Sequence, residues 1–108
     1  MPAKFTHIVS EEQLDSLFET SFQHSVALLK HSDTCGISAD ILYQLGEIDG
    51  EINVLVIQEH RDLSNSVAKR TGHRHQSPQA FVIKDGKSIY HATHYGINPK
   101  EIEKILNS

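Results

Sequence analysis

The sequence predicts an α/β fold in which a central mixed β-sheet is covered by helices on both faces. Two runs, SVALLKHS (residues 25–32) and INVLVIQ (residues 52–58), are almost continuously apolar, which is typical of strands buried on both sides. Segments with one apolar helical face alternate with these runs. An Asp-Gly pair between two further apolar runs predicts a hairpin towards the C-terminal end.

The first strand and helix are predicted from alternation and from a capping pattern. Apolar and polar residues alternate in Phe5–Val9, which favours a short strand. Ser10 then stands where a helix N-cap is expected, and Gln13, three residues later, completes a capping-box pattern. The apolar spacing that follows predicts a helix over Glu11–Phe22 with one buried face.

The middle of the chain predicts two buried strands, each followed by a helix. Ser25–Ser32 is the first of these strands, and a helix follows from about Cys35 to Leu45. Ile52–Gln58 is rich in β-branched residues, so it favours a second strand. The segment Asp62–Gly72 is predicted to be a helix that ends at its glycine.

The last part of the chain predicts a hairpin and a closing helix. Gln79–His94 forms the hairpin, with Asp85-Gly86 as its two-residue turn. Asn98 is predicted to cap the last helix, which has Pro99 in its first turn and ends at about Leu106.

The resulting order, β-α-β-α-β-α-β-β-α, is that of a thioredoxin-like fold. Right-handed crossovers make the early strands parallel, and the hairpin adds antiparallel strands. The chain has 108 residues and shows no repeat or linker, so we expect a single thioredoxin-like domain over residues 1–108.

Composition argues against several classes of partner. The 10 Lys and Arg against 14 Asp and Glu give a net charge of −4 with no basic block, so we expect neither nucleic acid nor a membrane as a partner. No apolar run approaches the ~18 residues of a membrane span. The chain has 1 cysteine, which excludes an intramolecular disulfide and fits the reducing cytoplasm. We therefore expect a cytoplasmic protein.

The lone Cys35 stands in HSDTCGISAD, at the junction of a predicted strand and a predicted helix. In such sheets the ligand crevice lies beyond the carboxyl ends of the strands, where helices begin. The free N–H groups and positive dipole of a helix start favour a thiolate, the nucleophile of disulfide exchange. Thr34 and Ser38 add hydroxyl groups, and we expect Ser38 to donate a hydrogen bond to the sulfur. Gly36 leaves the backbone open to a bound thiol. The competing interpretation is an inert core cysteine.

A second pattern, HQSPQAFVI, places Pro78 directly before a predicted strand. In this topology the loop faces Cys35. We expect a cis Ser77–Pro78 bond, a geometry that is confined almost entirely to proline. The alternative is an ordinary trans proline that interrupts the loop.

The segments HSDTCGIS, RDLSNSVAKRTGHRHQSPQAFVIKDGK and ATH together resemble the YtxJ-type monothiol bacilliredoxins. These are thioredoxin-fold proteins of bacteria that use bacillithiol in place of glutathione. The resemblance covers nearly the whole chain and is densest at these motifs.

The resemblance implies removal of bacillithiol from bacillithiolated client proteins. Cys35 would be the nucleophile. Bacillithiol would be the thiol co-substrate with no tightly bound cofactor, and bacillithiol or another redoxin would regenerate the protein. The matching neighbours of the thiol are Thr34, Ile37, Ser38, His75, Ser77, Pro78 and Gln79. The chain departs from the family at Gly36, where proline is common, so the redox poise of the thiol is left open.

CGIS also looks like the CGFS of monothiol glutaredoxins, which can hold an iron–sulfur cluster between two subunits. That resemblance implies a cluster carrier that uses Cys35 as a ligand. Against it, the SPQ loop differs from the TVP typical of glutaredoxins.

The chain's 8 histidines raise a third hypothesis, metal binding. His91 and His94 are an odd number of residues apart in a predicted strand, so they point to opposite faces. His73 and His75 share a side, but two imidazoles do not complete a metal site. We therefore predict no metal site. Lys30 and Arg74 are candidates to attract a ligand carboxylate, since bacillithiol carries a malyl group.

Overall fold

The computed structural model describes residues 2–108, which form a five-stranded sheet flanked by four α-helices. The strands are β1 (Lys4–His7), β2 (Val26–His31), β3 (Glu51–Val56), β4 (Gln79–Lys84) and β5 (Lys87–Thr93). The helices are α1 (Glu11–Thr20), α2 (Gly36–Leu45), α3 (Arg61–Thr71) and α4 (Pro99–Leu106). A short 3₁₀ turn, His94–Gly96, lies between β5 and α4.

The sheet is mixed, as the order of elements predicts. Its strand order is β1-β3-β2-β4-β5. Strands β1 and β2 both pair parallel with β3, whereas β4 is antiparallel to β2 and β5 is antiparallel to β4. The predicted α/β architecture, with a thioredoxin-like arrangement, is therefore confirmed.

Strand β2 lies at the centre of the sheet and is buried along its whole length. Successive side chains of a strand point to opposite faces. Leu29 accordingly packs in a core with residues of α2 and α4, and Leu28 packs in a second core with residues of α1 and α3. Each such side chain contributes about 1.5–3 kcal/mol by leaving water. The two cores fix α2 and α3 on opposite faces of the sheet.

The predicted caps and turn form, with one difference from the predicted capping box: the Gln13 side-chain oxygen accepts from the Val9 N–H at 2.7 Å and not from the Ser10 N–H. The Ser10 hydroxyl accepts a hydrogen bond from the Gln13 N–H, and the Asn98 side chain accepts one from the Glu101 N–H. Asp85 and Gly86 both have positive φ angles, 53° and 75°, which suit a tight hairpin turn.

Several predicted boundaries are wrong by one or two residues. Strand β1 ends at His7, not at Val9, and strand β3 ends at Val56, not at Gln58. Helix α1 ends at Thr20, because the buried Ser21 turns the chain, and Phe22 then lies outside the helix with 59% of its surface exposed. Strand β5 ends at Thr93, not at His94. His94 has a φ of 52°, which is incompatible with a strand, and it begins the 3₁₀ turn.

Across residues 2–108, none of the helices has the length and apolar character needed to cross a bilayer.

We expect Phe81→Ala to lower the free energy of unfolding by about 3–5 kcal/mol, because Phe81 is fully buried in the core shared with α1 and α3. Phe22→Ala is the matched control, and a loss below about 1 kcal/mol is expected at that exposed position. Urea unfolding of both variants measures the difference. Equal losses would contradict the described core.

Candidate functional site

Cys35 is the N-cap of α2 and follows β2 by a short loop. Its backbone is extended, with φ −109° and ψ 120°, and its side chain is partly exposed. The thiol makes no capping hydrogen bond to the helix. The sulfur therefore stands at an open helix start, as the sequence predicts, and is not enclosed in the core.

Cys35 follows β2 at a point where two neighbouring strands lead to opposite faces of the sheet. Helix α2 follows β2 to one face of the sheet, and α3 follows the neighbouring β3 to the other face. The carboxyl ends of these two strands therefore diverge into loops on opposite sides. Such a topological switch point is where open α/β sheets bind ligands.

The Ser77–Pro78 peptide bond is cis, as predicted. Gln79 follows directly and pairs with Lys30 near the carboxyl end of β2, so the proline lies at the sheet edge that carries Cys35. The Pro78 carbonyl accepts a hydrogen bond of 3.0 Å from the His94 N–H, which ties this loop to the 3₁₀ turn. In the part of the chain that the structure describes, the Ser77 hydroxyl is the one buried side-chain polar atom without a hydrogen-bond partner.

The loop before Cys35 is held by Gln58, a residue that the sequence analysis missed. Its amide nitrogen donates to the hydroxyl oxygens of Ser32, at 2.6 Å, and Thr34, at 3.2 Å. Its amide oxygen accepts from the Asp33 N–H at 3.2 Å. Three bonds from one side chain fix the backbone that leads into Cys35. Gln58 lies just beyond β3, so only the pairing of β3 with β2 reveals this contact.

The prediction that Ser38 donates to the sulfur is wrong. Ser38 is fully buried, its hydroxyl lies 2.8 Å from His31 Nδ1, and its oxygen accepts from the Ser32 N–H at 3.0 Å. His31 Nε2 lies 3.3 Å from the Asp33 carboxylate. With the ring proton on that nitrogen, Nδ1 takes the only hydroxyl proton that Ser38 has. Ser38 therefore stabilises, from inside the core, the loop of residues 32–35 that leads into α2, which we call the cysteine loop.

Gly36 and Ile37 follow the sulfur in the first turn of α2. A Cβ added to Gly36 would meet no atom within 4 Å, and the extended backbone of Cys35 suits a residue that precedes proline. The proline that the resemblance implies at this position would thus meet no clash at its Cβ. Ile37 is partly buried and packs against the core beneath α2.

His75 and Gln79 lie on the α3 side of the sheet. There they hold the loop of residues 72–78 between α3 and β4, which we call the proline loop. His75 Nδ1 is 3.0 Å from the Ser64 hydroxyl and 3.4 Å from Lys30 Nζ. The buried Gln79 side chain donates to the Arg74 carbonyl, at 2.9 Å, and its oxygen accepts from a backbone N–H in the same loop. The buried Gln79 therefore holds the loop from below, whereas the exposed His75 anchors it to α3 through Ser64.

Lys30 is fully buried, as its place in a strand that is covered on both faces implies. Its ammonium group donates to the Ser64 carbonyl at 2.9 Å, and no carboxylate among residues 2–108 lies within ion-pair distance. Burial lowers the pKa of Lys30 to about 8. A buried cation without a carboxylate partner costs stability, and groups with such a perturbed pKa cluster at functional sites.

Tyr95 is a second residue that the sequence analysis missed. The 3₁₀ turn that contains it packs against α2. Partial desolvation first, then the Asp40 carboxylate, and last the Cys35 thiol raise the pKa of the Tyr95 phenol. The exposed Tyr95 phenol therefore lies near enough to Cys35 for the two groups to interact electrostatically. Its only signal in the sequence is its place after ATH.

The histidines do not assemble a metal site within residues 2–108, where no group of three or more potential ligands occurs. His73 instead stacks on His91, with ring centroids 3.8 Å apart. The pairs that are close in the sequence, His73 with His75 and His91 with His94, thus belong to different surroundings.

Comparisons with known proteins agree with this geometry. A family model described as monothiol bacilliredoxin BrxC matches residues 6–102. A solved structure described as having a thioredoxin fold is 32% identical, with a TM-score of 0.84 over 94% of this chain and 92% of that chain. Thioredoxin from Trypanosoma brucei brucei is 16% identical, with a TM-score of 0.73 over 96% of this chain and 88% of that chain. Malassezia sympodialis thioredoxin is 16% identical, with a TM-score of 0.72 over 99% and 90%.

We expect Ser38→Ala to lower the free energy of unfolding by about 1–3 kcal/mol, because the buried His31 ring and Ser32 N–H each lose a partner. Ser16→Ala, on the exposed side of α1, is the control and is expected to change it by less than about 0.5 kcal/mol. Urea unfolding compares the two. An unchanged stability in Ser38→Ala would contradict the bracing role.

We expect Lys30→Met to raise the free energy of unfolding near pH 7 by about 1–3 kcal/mol, because it removes a buried unpaired charge. The pKa of Lys30 is about 8 in the folded chain and 10.5 ordinarily, so the unfolded chain binds more protons between these values. Wild-type stability therefore rises across this window, and the advantage of Lys30→Met shrinks. Urea unfolding at several pH values measures this trend. A difference that stays constant with pH, as expected for the exposed control Lys69→Met, would refute it.

Proposed function

The chain belongs to the monothiol bacilliredoxin family, and from this premise we propose that it removes bacillithiol from bacillithiolated proteins by exchange at Cys35. Family and fold together give the protein a thiol-redox function, that of a thioredoxin-like thiol–disulfide oxidoreductase. The identity of the thiol and of the clients is the proposed part.

The observation that supports the proposal most strongly is the position of the only sulfur nucleophile. Cys35 is partly exposed at the first turn of α2, where unpaired backbone N–H groups and the helix dipole favour negative charge. The cis Ser77–Pro78 loop lies at the same sheet edge. A disulfide that approaches this edge of the sheet can reach the partly exposed sulfur of Cys35.

The first step is an attack by the Cys35 thiolate on the bacillithiol sulfur of a mixed disulfide carried by the client. A new disulfide forms between Cys35 and bacillithiol as the client's disulfide breaks. The client sulfur leaves as a thiolate and takes a proton from water. One disulfide replaces another, so the step needs no external oxidant or reductant.

The second step requires a thiol from outside the chain, because the sequence has only 1 cysteine. A thiolate from free bacillithiol or from another redoxin attacks the adduct, releases Cys35 as a thiolate and forms the product disulfide. We place this cycle in the cytoplasm, where small thiols are kept reduced.

We assign the neighbouring residues to two groups. Thr34, Gly36, Ile37, Ser77 and Pro78 surround the approach to the sulfur along the loops on either side. Ser38, His75 and Gln79 act as positioning residues, because their hydrogen bonds hold these loops in place.

Mass spectrometry after incubation with oxidised bacillithiol tests the proposal. We expect a single adduct on the wild-type protein and none on Cys35→Ser. With a bacillithiolated client, we expect bacillithiol to move from the client to the wild-type protein and to stay on the client in the presence of Cys35→Ser. Circular dichroism verifies that both proteins are folded. A folded wild-type protein that takes no adduct would remove the proposal.

Anaerobic reconstitution with iron and sulfide provides the contrasting test. A cluster carrier of the CGFS kind would turn brown and absorb visible light in a way that depends on Cys35. We expect no such absorption, and its appearance would favour cluster transfer over thiol exchange.

A further inference from the structure

A cleft of about 210 Å³ opens next to the cysteine loop, on the α3 side of the sheet. Its walls come from the loop after β3, from the first turns of α3 and from the proline loop. The lining residues are Ile57, Gln58, Arg61, Ser64, Asn65 and His75. Nothing in the exchange mechanism described above uses this cleft.

The cleft has a positive character. None of its lining residues carries a carboxylate, and Arg61 forms no ion pair with any residue in the range 2–108. The buried Lys30 ammonium lies beneath it, bonded to the Ser64 carbonyl and 3.4 Å from His75 Nδ1. Burial first, then the charges of Lys30 and Arg61, lower the pKa of His75. An anion in the cleft would thus meet the Arg61 guanidinium and neutral hydrogen-bonding groups, with the Lys30 ammonium buried beneath them.

The cleft is joined to the nucleophile through Gln58. This side chain lines the cleft, and its amide donates to the hydroxyl of Thr34, the residue immediately before Cys35. His75, two residues before Ser77 in the proline loop, also lines the cleft. Gln58 thus connects the cleft to the loop that leads into Cys35.

We propose that this cleft binds a carboxylate of the low-molecular-weight thiol whose sulfur exchanges with Cys35. Arg61 supplies a planar fork of donors that matches a carboxylate, and the amides of Gln58 and Asn65 supply neutral donors. Lys30 adds a fixed positive charge from below. This inference rests on the proposed exchange at Cys35 and names the group by which the site recognises its small thiol.

A carboxylate in the cleft gives a reason for the buried lysine. A cation in the core costs stability when nothing neutralises it. An anion bound above Ser64 and His75 would favour the charged form of Lys30 and recover part of that cost upon binding. The small volume of the cleft fits one end of a small molecule better than a client surface.

The test compares two symmetrical disulfides, that of mercaptosuccinate, which carries carboxylates, and that of 2-mercaptoethanol, which carries none. Mass spectrometry follows the rate of adduct formation on Cys35 for each. We expect Arg61→Gln to lower the ratio of the mercaptosuccinate rate to the mercaptoethanol rate about tenfold, as loss of one charge-assisted hydrogen bond predicts.

Lys69→Gln is the matched control, because it removes the same charge from the same helix at an exposed residue outside the cleft. We expect its rate ratio to equal that of the wild type. An equal fall in both variants would assign the effect to net charge and overturn the subsite. An unchanged ratio in Arg61→Gln would overturn it as well, while exchange at Cys35 would stand.

A second measurement separates binding from exchange. Succinate is titrated into Cys35→Ser and followed by the backbone amide signals of Arg61 and Asn65 in NMR spectra. We expect saturable shifts that are lost when Arg61→Gln is added. Adducts with both disulfides but no succinate shifts would overturn the subsite alone. Absence of any adduct in folded wild-type protein would overturn the exchange at Cys35, and with it the assignment of the cleft to an exchanging thiol.

Discussion

The burial of β2 on both faces is the constraint on which the site depends. Its last two side chains, Lys30 and His31, are polar and point to opposite sides of the sheet, so neither reaches bulk water. Each has to find partners inside the protein. His31 finds Ser38 and Asp33 on the α2 side, whereas Lys30 finds Ser64 and His75 on the α3 side.

These two sets of contacts hold different loops near the sulfur. The His31 contacts and the Gln58 bonds fix the loop that presents Cys35. The Lys30 contacts fix the loop that leads to the proline and give the adjacent cleft its charge. The hydrogen-bonded loop that presents Cys35 and the charged neighbouring cleft therefore both follow from the end of one strand.

Much of this architecture is local and could be predicted from the sequence. The cap at Ser10, the Asp85-Gly86 turn and the start of α2 at Cys35 depend on residues within a few positions of each other. The order of strands and helices then implies the sheet edge that carries Cys35 and Pro78. For that reason the fold and the cis peptide bond were both within reach of sequence reasoning.

The errors share a physical cause, which is competition from partners distant in the chain or in the fold. Ser38 is one helical turn from Cys35, which favours a bond to the sulfur, but His31 lies directly beneath it and takes its proton. The role of Gln58 requires the register of β3 against β2. His94 looks like the end of a strand until its left-handed backbone is seen. Periodicity does not contain these contacts.

The solitary sulfur has a consequence for how such a protein behaves in a cell. A dithiol protein resolves its own adduct, since a tethered second thiol acts at a high effective concentration. Under the proposed exchange this chain has no tethered thiol, and the lifetime of its adduct varies inversely with the abundance of reduced thiol around it. The fraction of molecules that carry the adduct would then rise as the surrounding thiols become oxidised. Under the proposed exchange, that fraction would report the redox state of those thiols.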